Sequence, residues 1–222
     1  MRDSLEQTLD AAIQELDLSI SAEKQEQLLN FLQQLNRWNK VYNLTAIDNI
    51  DQMLIKHVID SLSVIPILEQ TKQDLSVETL NIVDVGSGGG LPGVVIALCK
   101  PHWKVVCVDA VEKKVAFIKQ MRAVLACDNL NALHSRIEAA NNLNCDVLIT
   151  RAFSNLENTI EWGGQHVLPD GYIVAMKGKI PTQELEAIKK HNNWVVQDIH
   201  PIAVPFLSAE RCVISLKKQG KK

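Results

Sequence analysis

The sequence predicts an α/β fold: a mostly parallel, seven-stranded sheet with helices on both faces and a helical extension at its N-terminal side. Three observations carry this. From residue 79 onward, short β-branched runs alternate with helical stretches, the rhythm that right-handed β-α-β units produce. Four glycines, Gly86, Gly88, Gly89 and Gly90, fall within five residues just after the first of those runs. Residues 1–70, by contrast, show only the three-and-four spacing of amphipathic helices.

Taken in order, Leu5, Leu9, Ala12, Ile13 and Leu16 form one apolar stripe and predict a first helix. Ser21 is placed to cap a second, with Glu23 in its first turn and Leu28, Leu29, Phe31, Leu32, Leu35 and Trp38 along its apolar side. Residues 43–49 read as a break. Met53, Leu54, Val58, Ile59, Leu62 and Ile65 mark a third helix ending near Pro66, and 70–78 is a polar stretch. Buried strands are predicted at 80–85, 104–108, 146–149 and 172–176, with 130–134 a weaker fifth. Helices between them start near Pro92, Val111, Ser154 and Pro181, and 194–202 with 211–216 predict an antiparallel pair at the sheet's edge. The chain thus divides into a helical extension (1–70) packed on the substrate pocket and contributing to it, an α/β domain (79–217) and a basic tail (218–222).

Composition narrows the class. At 222 residues with 46% hydrophobic and 22% charged side chains, one folded main domain is expected. No apolar run approaches the roughly 18 residues that cross a bilayer, and the N-terminus lacks the basic-then-apolar layout of a signal peptide, so a cytoplasmic protein without membrane contact is expected. Five scattered cysteines with no C-x-x-C pair read as reduced core thiols and not as metal ligands. The net charge of −3 is unevenly spread: residues 1–80 carry 6 basic and 13 acidic side chains, residues 81–222 carry 17 and 13. A basic second part is compatible with a polyanionic partner, because binding follows the local field. Nothing in the sequence predicts an obligate dimer, and a monomer is the expectation.

The chemistry concentrates where the first strand meets the glycine cluster, in Asp84-Val85-Gly86-Ser87-Gly88-Gly89-Gly90-Leu91-Pro92-Gly93. Ligands of such sheets bind at the carboxyl ends of the strands, and glycines let a ligand lie against the backbone. A dinucleotide fingerprint starting at Gly86 and Gly88 would need its third glycine at position 91, which is Leu91. The spacing present is Gly86-x-Gly88-x-Gly90, preceded by the acidic Asp84. Both features favour S-adenosylmethionine, whose amino acid tail suits an acid and exposed backbone groups. Asp109 ends the second strand about 20 residues later, the offset at which a carboxylate receives ribose hydroxyls, although it could also cap the helix near Val111. After the third strand, Arg136, Ile137 and Glu138 would flank the adenine. This makes the fold Rossmann-like, in the manner of class I S-adenosylmethionine-dependent methyltransferases.

For the methyl acceptor, the sequence after the fourth strand is Thr150-Arg151-Ala152-Phe153, without the Asn/Asp-Pro-Pro-aromatic run that serves exocyclic amines. Cys145 precedes that strand and has no Pro-Cys context, which argues against attack at a cytosine carbon. An acceptor that is already nucleophilic, such as guanine N7, needs no general base, only positioning. Arg151 and Phe153 could hold a phosphate or base and stack on a ring. A methyltransferase acting on a small molecule or protein, an NAD(P)-dependent oxidoreductase and a non-catalytic nucleotide sensor remain open on these residues alone.

Trp38-Asn39 with Asn43-Leu44-Thr45, Lys56-His57 with Asp60-Ser61-Leu62, the whole 84–93 run, Thr150-Arg151-Ala152 and Lys177-Gly178 together resemble the bacterial RsmG family, also called GidB or glucose-inhibited division protein B. The resemblance spans nearly the whole chain. It implies transfer of a methyl group to guanine N7 in the decoding region of 16S ribosomal RNA, on naked RNA or the 30S subunit. It implies cofactor contacts at Gly86, Gly88 and Asp109, with Arg151 facing cofactor or acceptor. Asn39, Asn43, Thr45, His57, Asp60 and Ser61 would then be brought to the pocket's mouth, Asn39 and His57 as positioning residues. Lys177 and Arg211 fit phosphate contacts in the basic half.

Overall fold

The computed structural model describes residues 2–219 apart from Asn192. Lys221 and Lys222 of the expected basic tail lie outside the described residues. Helix α1 (Arg2–Glu15) and α2 (Ala22–Tyr42) come first, α2 capped by the Ser21 side chain and closed by Asn43 in the left-handed region at φ 50°. A short α3 (Ile50–Met53) then runs into a π-helical turn, Leu54–Ile59, and α4 (Asp60–Leu62). Pro66 does not end this segment. It sits in the first turn of a separate helix α5 (Ile65–Leu75), where its missing N–H has no helical partner to lose, so much of the stretch read as polar coil is helical.

The alternating part supplies β1 (Asn81–Val85), α6 (Gly93–Cys99), β2 (Lys104–Asp109), α7 (Glu112–Val124), β3 (Leu130–His134), β4 (Cys145–Arg151), α8 (Leu156–Gly163), β5 (Val167–Lys177) and α9 (Thr182–Ile188). The last two strands are β6 (Trp194–Ile202) and β7 (Arg211–Lys218). Lys218, expected in the tail, closes β7, and its ammonium donates to the Gly164 and Val167 carbonyls. The sheet order is β3-β2-β1-β4-β5-β7-β6. Pairs among the first five strands are parallel, and β7 runs antiparallel to both β5 and β6. Strand order reverses between β1 and β4, the switch point where such sheets open a crevice at their carboxyl ends.

One core holds α1, α2, α5, α6 and α7 against one face of the sheet, and a second holds α8 and α9 against the other. The N-terminal helices therefore share the core of the α/β part. Phe31 and Trp38 of α2 stack against Phe117 of α7, with centroids 6.2 and 5.4 Å apart. Phe31 and Phe117 are fully buried, worth roughly 2–3 kcal/mol each. Leu35 of α2 reaches the glycine turn itself: a Cβ added at Gly89 would lie 2.9 Å from Leu35 Cδ1. The helical extension thus rests on the loop that follows β1, which fixes where its polar end can reach.

Candidate active site

The turn after β1 is anchored from both sides. Gly86 and Gly88 take positive φ of 69° and 58°, and the Gly88 N–H donates to Asp109 Oδ2 at 2.9 Å. Asp109 Oδ1 accepts the Val111 N–H at 2.9 Å, at the start of α7. Asp109 therefore fixes the residue that leads into the helix and fastens the turn while keeping a further lone pair on each oxygen.

Asp109, Arg136, Ile137, Glu138 and Phe153 line a cavity of about 360 Å³ that also holds Gly86, Ala152 and Trp162. Phe153 packs edge-on to Trp162, and a Cβ on Gly86 would lie 2.5 Å from Phe153 Cδ2. This puts Phe153 on the Asp109 side, away from the cavity formed with the N-terminal segment. Arg136 is largely exposed and sits 3.8 Å from Glu138.

A second cavity, about 500 Å³, lies across the turn, and shares Gly86 and Ala152 with the first. Gly88, Leu91, Arg151, Lys177 and Arg211 line it from the α/β part, and Thr45, His57 and Asp60 from the N-terminal part. Both volumes fall within the range of ligand sites. Ala152 holds φ 53° where they meet, a conformation costly for a non-glycine residue and one the sequence does not announce.

Asp60 joins the two parts. Its carboxylate, with a side chain only 3% exposed, accepts Arg151 Nη1 at 3.1 Å and Arg211 Nε at 2.8 Å. Arg151 also donates from Nη1 to the Lys56 carbonyl at 2.9 Å, and its Nη2 lies 3.3 Å from His57 Nδ1. His57 Nε2 is 2.7 Å from Thr45 Oγ1. Asn39 orients the loop that carries Thr45, accepting the Thr45 N–H at Oδ1 and donating from Nδ2 to the Ile47 carbonyl. Burial, then the Arg151 charge, pushes the His57 pKa down to about 4, so its imidazole is neutral at pH 7.

Other expected site residues sit differently. Asp84 is fully buried, its Oδ2 accepting the Gly93 N–H at 2.8 Å at the start of α6, and it lines neither cavity. Desolvation raises its pKa to about 7, only partly opposed by that N–H, and Oδ1 has no hydrogen-bond partner. Gly90 faces Val94, and Asn43 is exposed at the end of α2. The Ser61 hydroxyl donates to the His57 carbonyl at 2.6 Å and is fully buried. Lys177 is paired with Glu184 and donates to the Ser154 carbonyl, and Arg211 is paired with Asp60. Lys56, part of the motif that carries the resemblance but given no role there, and Trp162, not singled out from sequence, line the two cavities, Trp162 being an aromatic on the predicted helix after β4.

The residues fit S-adenosylmethionine. Asp109 has lone pairs left for a ribose diol, Ile137 offers an apolar wall, and nothing within less than 4.0 Å would meet a Cβ on Gly88, so the turn's backbone is open to a ligand. A seven-stranded sheet with β7 reversed and a glycine turn at its switch point defines a class I S-adenosylmethionine-dependent methyltransferase.

Solved structures share this fold. Magnesium protoporphyrin IX methyltransferase from Synechocystis PCC 6803 aligns with a TM-score of 0.57 at 14% identity, over 90% of this chain and 99% of that one. Ribosomal protein L11 methylase from Lactobacillus delbrueckii subsp. bulgaricus aligns with a TM-score of 0.54 at 12% identity, over 78% and 81%. The family model GidB, rRNA small subunit methyltransferase G, matches residues 24–214, and the chain belongs to that family. Among its relatives, the Ribosomal RNA small subunit methyltransferase G of Bordetella avium is 49% identical over 96% of this chain and 93% of its own length. That of Methylibium petroleiphilum is 40% identical over 98% and 96%.

Proposed function

We propose that this chain transfers a methyl group from S-adenosylmethionine to N7 of a guanine in the decoding region of 16S ribosomal RNA, as a cytoplasmic monomer. In this reading residues 1–70 act as a helical extension that completes the acceptor pocket of the α/β domain. The observation that carries it is the meeting of two cavities at Gly86 and Ala152. The Asp109 side suits a nucleoside, and the opposite side is lined by Thr45, His57 and Arg151.

S-adenosylmethionine supplies an electrophilic methyl group at this junction, and guanine N7 brings its own lone pair. No side chain has to remove a proton, which agrees with a neutral His57 fixed between Arg151 and Thr45 and with thiols held protonated. Burial pushes Cys145 up to about 12, and Cys107 well above its ordinary value. The work left to the protein is alignment. Asp109 and the turn hold the nucleoside end, and the Asp60 clamp holds Arg151 at the mouth of the acceptor side.

The test is incubation with methyl-labelled S-adenosylmethionine and naked 16S RNA, 30S subunits, or neither, followed by borohydride and aniline cleavage at N7-methylguanine. A single labelled guanine in the decoding region is the expected result. Label at another atom, or none in RNA, overturns it.

A further inference from the structure

The acceptor-side cavity is lined by a hydroxyl whose direction can be worked out from its neighbours. A neutral imidazole has one N–H and one lone pair. Arg151 is a permanent donor, and its Nη2 lies 3.3 Å from His57 Nδ1. The Lys56 carbonyl is also near Nδ1, at 3.1 Å, and beside Arg151 Nη1 it keeps a second lone pair that can take an Nδ1 proton, so the choice turns on the guanidinium being the charged and stronger partner. A proton on Nδ1 would point into the donors of a cation, whereas a lone pair there accepts from it. His57 therefore carries its proton on Nε2 and donates to Thr45 Oγ1 at 2.7 Å. The Ile47 N–H donates to the same oxygen at 3.2 Å. Both lone pairs of Thr45 Oγ1 are thus occupied, and its own hydrogen is left for the cavity that the residue lines.

We propose that Thr45 is a specificity-determining residue, its hydroxyl donating to the O6 of the acceptor guanine, with His57 a positioning residue that fixes the direction of that donor. The inference rests on the guanine-N7 reading above. On the edge that carries N7, guanine presents the acceptors N7 and O6, whereas adenine presents N7 and an amino donor. A hydroxyl that can only donate favours guanine at the position beside N7 and opposes adenine. The Asn39 side chain holds the Thr45 and Ile47 backbone together, so the donor belongs to a braced loop.

Two measurements test this. In the unliganded protein at pH 7, two-bond ¹⁵N–¹H correlations of His57 should show a neutral ring protonated at Nε2; protonation at Nδ1, or an imidazolium, overturns the proposal. Methylation rates are then compared on substrate RNA carrying either guanine or 2-aminopurine at the methylated position, the latter keeping N7 but lacking O6. Thr45→Val should lose about tenfold in kcat/KM on guanine and under twofold on 2-aminopurine. Thr45→Ser, which keeps the hydroxyl, should stay near the parent on both, and cofactor affinity should be unchanged in each variant. Equal losses of Thr45→Val on both bases overturn the recognition alone. No labelled guanine with the parent protein overturns the functional reading itself, a distinguishable result.

Discussion

Replacing Asp60 by asparagine tests whether this carboxylate is a brace or an RNA contact. Asp60 is nearly inaccessible and bonded to two guanidiniums whose side chains are 19% and 26% exposed. Asparagine keeps the shape and one acceptor but loses the charge, and its amide hydrogens face the guanidinium that the second oxygen served. A charge-assisted hydrogen bond contributes about 1.5–3 kcal/mol, and breaking a fully buried pair costs about 3–5 kcal/mol. Because both arginines reach solvent and can rehydrate, the expected loss lies at the low end, about 2–3 kcal/mol. For a chain of this size that is a Tm fall of roughly 4–12 °C. Calorimetry at pH 7.5 in low and high salt reads it, and the fall should survive salt because the carboxylate is shielded from it. The double-mutant cycle with Arg151→Ala should return a coupling of about 1–3 kcal/mol. A Tm within 1 °C of the parent, with RNA affinity weakened, would refute the brace and make Asp60 an RNA contact.

Three further outcomes are expected. Asp109→Ala should weaken S-adenosylmethionine binding at least tenfold by calorimetric titration, since it removes the proposed ribose acceptor and frees the Gly88 N–H; affinity within twofold of the parent would exclude the ribose role. Asp84 has a folded pKa raised from 3.8 to about 7, so the folded state binds the extra proton and stability drains away as pH rises through that interval, by at most roughly 4 kcal/mol. The Tm of Asp84→Asn relative to the parent should therefore climb between pH 4 and pH 7, and a flat difference would show that the carboxyl is not held protonated. Native protein at pH 8 should resist iodoacetamide at Cys107 and Cys145, which are buried with raised pKa values, and mass spectrometry showing modification within minutes would contradict their burial.

The strands were legible because each is a short apolar, β-branched run, and burial on both faces of a parallel sheet demands that composition. Pro66 was misread because proline both follows helices and opens them, and only the packing of Ile65 and Leu68 decides between the two. The π-helical turn has no sequence signal; its Leu54, Val58 and Ile59 are buried in the core, as an ordinary helix would also place them. The glycine turn and Asp109 could be found by spacing, since both belong to one β-α-β unit. Asp60 could be picked out as polar but not paired, because its partners lie 91 and 151 positions away. Asp84 was readable as an acid at a strand end, yet which way it points is decided by the Gly93 N–H at the start of α6.

The clamp also bears on how a cationic side chain can stand beside this reaction. Methyl transfer to a neutral base moves a positive charge from sulfur to the purine, and an unpaired guanidinium near that base would oppose its arrival. Arg151 is not unpaired: Asp60 sits on it at 3.1 Å, while Arg211 binds the other carboxylate oxygen. One carboxylate against two guanidiniums leaves one surplus positive charge, Lys177 is matched by Glu184, and Lys56 in the lining of the same cavity adds a second. The surplus therefore belongs to the group as a whole, available to an RNA phosphate at the rim, whereas the Arg151 face toward the cofactor turn is compensated. This division requires the carboxylate to come from the N-terminal helical segment and the arginines from β4 and β7. It gives a physical reason for the proposed place of the helical extension in the acceptor site, beyond covering the sheet.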